Sequence, residues 1–137
     1  MSSTVRDSVA ETAALRHLSV RFSPRAEDTV VAAIDGELDL YTAPLLQATL
    51  LPLPATGVCH IVVDARELLF CDVCGFRTLS EVNDMAVDHG GELVITRPNR
   101  SLRRIATLVQ EMCPDPGSQP IPLFDDLEEP LDNLIFR

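Results

Sequence analysis

Two cysteines three apart, Cys71 and Cys74, stand in the stretch Phe70-Cys71-Asp72-Val73-Cys74-Gly75-Phe76. It follows the apolar run "HIVVDARELL" and precedes the helical pattern "FRTLSEVNDMAVDHGG". A Cys-x-x-Cys pair at a helix start is suited to three roles. It can cycle between dithiol and disulfide, because a helix N-terminus stabilises a thiolate. It can supply half of a zinc site. Or it can be small apolar filling. Asp72 opposes thiolate formation, and thioredoxin-like chemistry usually places an aromatic residue beside the pair, whereas the chain has no Trp. A zinc site needs two further ligands at suitable spacing. Cys59, His60 and Cys113 qualify only where the fold brings them close, so no metal site is expected. Cys71 reads as a small buried hydrophobe, and Cys74, on the first helical turn, as the more exposed thiol. A thiol oxidoreductase remains the enzyme alternative.

Other catalytic patterns are missing. The histidines, at 17, 60 and 89, lie far apart and suggest no Ser-His-Asp arrangement. There is no glycine-rich phosphate loop. Gly90-Gly91 reads as a helix stop. The expectation is a protein without a cofactor that is not an enzyme.

The elements that must position this stretch follow from hydrophobic patterning. "LSVRFS" (18–23) alternates as a half-buried strand does. Residues 24–28 read as a turn. "TVVAAIDG" (29–36) is a near-continuous apolar run and reads as a central strand ended by Gly36. Thr42 is placed to cap a helix through its hydroxyl, with Pro44 in the first turn. Pro52 and Pro54 stop that helix. "CHIVVDA" (59–65) reads as a second buried strand, 66–72 as a loop, and 73–89 as a helix with Phe76, Leu79, Val82, Asn83 and Ala86 inward. "ELVITR" (92–97) is a strand. Asn99 or Ser101 caps a helix carrying Leu102, Ile105, Ala106, Val109 and Met112. "IPLF" (121–124) is a short edge strand, since Pro122 cannot donate to a ladder. An acidic segment with Pro130 starts the last helix. This order predicts an α/β domain, with a mixed, mainly parallel sheet of four to five strands and about four helices. Residues 1–16 read as a flexible arm and 17–137 as the domain.

That layout sorts the thiols. Cys71 and Cys74 fall at the carboxyl ends of the strands, and Cys59 and Cys113 at the other pole. A six-residue strand spans about 20 Å, whereas a disulfide needs Cα atoms within about 7 Å. Cys74–Cys113 is therefore excluded within one molecule. Cys59–Cys113 is the better long-range pairing, and Cys71–Cys74 the local one.

Composition narrows the partners. The 137 residues carry a formal charge of −10, with 11 basic residues, all arginine, against 21 acidic. Such a chain is repelled by a phosphate backbone, so no nucleic acid is expected. Arg97, Arg100, Arg103 and Arg104 read as a solvated face or as partners of local acids. No apolar run is long enough for a membrane span, and the first residues lack a secretory pattern. A cytoplasmic protein with no membrane partner is expected, in which structural disulfides are improbable.

"VVAAIDGELDLYTAPLLQATL", "HIVVDARELLFCDVCGFRTL", "GGELVITRPNRSLRRIATL" and "PLFDDLEEPL" together resemble the STAS domain, specifically the bacterial anti-sigma factor antagonists. The resemblance spans about residues 18–134. It implies a partner, an anti-sigma factor that is a serine kinase with a GHKL-type ATP site. Binding it releases a sigma factor, and phosphorylation of a serine in an Asp-Ser-Ser-Gly or Asp-Ser-Thr-Gly turn ends the interaction. A monomer or weak dimer is expected. The partner surface would include Asp39, Thr42, Asp72, Val73, Cys74, Gly75, Phe76 and Thr78.

The chain departs from that pattern at the switch. Its turn reads Asp72-Val73-Cys74-Gly75, with Cys74 where the phosphorylated hydroxyl normally stands. Thr78 is an alternative acceptor, read more simply as an exposed helix threonine. Control would then be constitutive or through the thiols Cys71, Cys74, Cys59 and Cys113. The alternative from another class is a scaffold or ligand-binding STAS subunit of a stress-signalling or transport complex.

Overall fold

Valine- and isoleucine-rich runs build the centre of the molecule, which is described for residues 17–135 in a computed structural model. The arm expected at 1–16 lies outside the described residues. Strands β1 (Leu18–Ala26), β2 (Thr29–Leu38), β3 (His60–Cys71), β4 (Glu92–Thr96) and β5 (Leu123–Phe124) form one sheet in the order β1-β2-β3-β4-β5. β1 and β2 are an antiparallel hairpin. β2, β3, β4 and β5 are parallel neighbours. Helices α1 (Ala43–Leu50), α2 (Val73–Asp88), α3 (Arg100–Thr107) and α4 (Glu128–Ile135) connect or follow them. The described residues thus form the expected mixed α/β architecture.

The continuous apolar runs have a simple cause: both sheet faces are covered. Val30, Ala32, Ile34, Ile61, Val63, Leu93 and Ile95 point to the large core, with Leu46, Phe76, Leu79, Val82 and Leu102 from the helices. Val31, Val62 and Val94 point the other way and meet Leu131 of α4, with Phe124 and Leu127. The inward face expected for α2 is buried at all five positions. Asn83 there earns its burial. Its carbonyl oxygen accepts from Leu93 N–H at 2.9 Å, and its amide donates to Gln119 O at 3.0 Å.

Three boundaries differ from the sequence expectation. β1 continues through Pro24, which pairs with Val30, leaving only Glu27 and Asp28 as the turn. Proline is tolerated because β1 is an edge strand. β2 does not stop at Gly36. It passes a register irregularity there and ends at Leu38. Residues 66–71 are strand, not loop: Glu67, Leu68, Phe70 and Cys71 pair with Asp35, Gly36, Glu37 and Leu38. β3 outlasts β4 because β4 pairs only with His60 to Asp64. The result is a two-stranded β2–β3 extension that carries both chain stretches to one pole.

Two of the clustered arginines are paired. Arg97 forks onto Asp64, with Nε–Oδ1 at 3.1 Å and Nη2–Oδ2 at 2.5 Å. That hydrogen-bonded carboxylate raises the guanidinium pKa further. Arg103 pairs with Asp125, while Arg100 and Arg104 are exposed.

Candidate functional site

At the carboxyl ends of β2 and β3 two turns lie side by side. The first is Asp39-Leu40-Tyr41-Thr42, between β2 and α1. Asp39 Oδ1 accepts from the N–H groups of Tyr41 and Thr42 at 2.9 and 3.1 Å. Thr42 Oγ1 accepts from Asp39 N–H at 2.9 Å and donates to Glu37 O at 2.8 Å. The Thr42 side chain therefore makes no cap bond to α1; its hydroxyl is spent closing the turn behind it. Asp39 and Thr42 are 3% and 7% exposed. They shape the turn from within.

The second turn opens α2. Asp72 is its N-cap, with extended backbone, and Asp72 Oδ1 accepts from Gly75 N–H at 2.7 Å. A carboxylate here satisfies an orphan amide and sits favourably in the helix dipole. Asp72 N–H donates to Leu38 O at 3.1 Å, which ties this turn to the end of β2. Gly75 is packed against the same residue. A Cβ at Gly75 would stand 2.5 Å from Leu38 O and 2.6 Å from Leu38 Cγ, so only glycine lets the helix start come this close.

Of the eight residues expected at a partner surface, Asp72, Val73 and Cys74 are partly exposed. Gly75, Phe76 and Thr78 are buried, as are Asp39 and Thr42. Phe76 is fully enclosed in the core. Thr78 is not the exposed helix threonine expected; it is buried and its hydroxyl donates to Cys74 O at 3.3 Å.

All four cysteines carry free thiols. Cys71 is buried, as expected, and its Sγ donates weakly to Asp72 O at 3.4 Å. Burial, reinforced by Asp72 and Cys74, pushes its pKa from the usual 9.0 up to about 12. Cys71 is therefore a poor source of thiolate. Cys74 and Cys59 are half-buried and Cys113 is exposed.

Sequence reasoning missed the apolar residues displayed around the two turns. Leu40 and Tyr41 are 61% and 69% exposed, and Leu69 and Phe70 are 71% and 47% exposed. Scattered exposed apolar residues are ordinary, but here four large ones lie on two adjoining stretches. A signal existed in the doublets "LY" and "LF" beside Asp39 and Asp72, but patterning assigned Leu69 and Phe70 to a loop rather than to an uncovered strand end.

At the opposite pole the fold completes a set that the sequence left open. Asp28, rather than Cys113, joins Cys59 and His60, with one donor atom from each lying within 4.8 Å of the others. The β2–β3 register causes it, because Thr29 pairs with His60 and so sets the preceding residues side by side. No helix among the described residues is long and apolar enough to cross a membrane.

Residues 18–128 match the STAS domain family. Among solved structures, the anti-sigma factor antagonist SpoIIAA in its unphosphorylated form is 18% identical, with a TM-score of 0.70 over 87% of this chain and 98% of that one. An anti-sigma factor antagonist from Mycobacterium paratuberculosis is 18% identical, with a TM-score of 0.71 over 88% and 96%. The murine anion transporter Slc26a9 is 9% identical, with a TM-score of 0.68 over 95% of this chain and 24% of that one. Comparison with curated protein sequences gives no significant match.

Proposed function

Because the chain belongs to the STAS domain family, we propose that it is a cytoplasmic anti-sigma factor antagonist, a binding protein rather than an enzyme. In this reading it docks a GHKL-type anti-sigma kinase and frees that kinase's sigma factor, and it does so constitutively. One observation carries the reading. The Asp72-Val73-Cys74-Gly75 turn starts α2 beside Leu40, Tyr41, Leu69 and Phe70, all exposed, and presents a thiol at its second helical position.

The physics of the switch supports the constitutive form. Phosphorylation of a hydroxyl adds about two negative charges and three strong acceptors. Placed in a turn that must meet a partner, that charge carries its hydration into the interface and costs affinity. A cysteine thiol at this position is not a serine kinase's acceptor, and Thr78 is buried against the helix backbone. The partner's kinase activity then has nothing to act on here. Control through a Cys71–Cys74 disulfide has less support, because Cys71 is buried and holds its proton. The same property counts against a thiol oxidoreductase.

Calorimetric titration against GHKL-type anti-sigma proteins tests the reading. A stoichiometric complex, weakened at least tenfold by Tyr41→Ala or Phe70→Ala, is expected. No complex with any of them would transfer the surface to a scaffold role.

A further inference from the structure

We propose that Asp28, Cys59 and His60 form a binding site for a late first-row divalent metal ion, with zinc the expected occupant. The site lies at the amino ends of β2 and β3, about 35–40 Å along β3 from the Asp72 turn. The three residues bring a carboxylate oxygen, a sulfur and an imidazole nitrogen within 4.8 Å of one another. Tetrahedral zinc, with bonds of 2.0–2.3 Å, spaces its ligand atoms about 3.3–3.7 Å apart. His60 Nε2 and Asp28 Oδ2 are already 3.7 Å apart.

The imidazole itself points to a ligand. His60 is largely buried, yet its Nδ1 has no hydrogen-bond partner among the described residues. Its Nε2 is too far from Asp28 Oδ2 for a hydrogen bond. A metal ion bound between the ring and Asp28 Oδ2 would give Nε2 a partner, with Nδ1 left to carry the ring proton. The carboxylate is held for the task. Thr29 Oγ1 donates to Asp28 Oδ1 at 3.0 Å, leaving Oδ2 turned to the ring. Backbone contacts fix the rest: His60 N–H donates to Asp28 O at 2.9 Å, and Glu92 N–H donates to Cys59 O at 2.9 Å. These bonds hold the backbone of His60 and Cys59 in place beside Asp28.

The donor set decides the class of ion. Thiolate and imidazole suit zinc, cobalt, nickel or copper, whereas magnesium and calcium require oxygen ligands. Three protein ligands leave a fourth position for water. On binding, Cys59 gives up its thiol proton to solvent and bonds through sulfur. The ion would clamp the β1–β2 turn to the start of β3.

The test uses the reduced full chain and cobalt(II) chloride. A sulfur-to-cobalt charge-transfer band, saturating at one equivalent and removed by zinc, is expected. It should persist in a Cys71→Ser/Cys74→Ser/Cys113→Ser variant and vanish in Cys59→Ser. Asp28→Asn and His60→Gln should each weaken binding at least tenfold. Asp28 lies in an exposed turn, so its variant folds, and zinc should raise the melting temperature of the parent but not of Asp28→Asn. A band that survives Cys59→Ser, or disappears in the triple variant, overturns the site. So does absence of binding at millimolar cobalt, or equal competition by magnesium or calcium.

Discussion

The Asp72 N–H donates to Leu38 O across 3.1 Å, so the helix-opening turn hangs directly from the end of the neighbouring strand. This bond joins the two turns of the candidate docking surface. Asp72 caps its own helix with its side chain and holds β2 with its backbone. The position of Cys74 is thereby fixed relative to Leu40 and Tyr41 before any partner arrives.

Removing the cap should loosen that turn without unfolding the domain. Asp72→Ala loses the bond to Gly75 N–H and should cost about 1 kcal/mol, as N-cap truncations do. Urea unfolding measures it. An unchanged midpoint would mean that the carboxylate does not support the helix.

Gly75→Ala should cost more. Its Cβ would meet Leu38 O at 2.5 Å, a backbone atom that cannot swing aside. Overpacking of this kind costs about 1–3 kcal/mol. The same unfolding assay should place this variant below Asp72→Ala, and the reverse order would contradict the close approach.

Phe70 and Phe76 should separate folding from docking. Phe76 is fully buried, and truncation to alanine should cost about 3–5 kcal/mol. Phe70 is about half exposed, and Phe70→Ala should change stability far less while weakening partner binding. Melting curves and calorimetry on both variants check the split.

These positions also mark how far the sequence could be read. The central strands were legible because both faces of the sheet are covered, so Val30 to Ile34 and Ile61 to Val63 read as unbroken apolar runs. The α2 face was legible from its helical period, and Cys71 from its place beside it. The extent of β3 was not. Residues 66–71 alternate poorly because that strand end has lost β4 as a neighbour and leaves Leu69 and Phe70 uncovered. Asp39 and Thr42 were expected at the surface, but their side chains bond within the turn, which type and position alone do not reveal. The approach of Asp28 to His60 depends on strand register, set only once β2 and β3 pair.

The Cys71 thiol gives a pH dependence with a definite sign. Its folded pKa, about 12, lies above the usual 9.0. The folded state therefore keeps a proton that the unfolded chain releases above pH 9. The associated stability is complete below about pH 9 and is lost as pH rises toward 12. Unfolding midpoints from pH 8 to 11 should fall more steeply for the parent than for Cys71→Ala. Equal slopes would mean that Cys71 ionises as freely folded as unfolded.

Partner binding in the presence of ATP is the most direct measurement of the central claim. The parent protein and Cys74→Ser would each be incubated with the GHKL-type anti-sigma kinase and magnesium ATP. Phosphate incorporation and affinity would then be measured by mass spectrometry and calorimetry. The expected result is an unmodified parent with unchanged affinity, and a Cys74→Ser protein that gains one phosphate and binds at least tenfold more weakly. A parent that is phosphorylated and released under the same conditions would contradict constitutive docking.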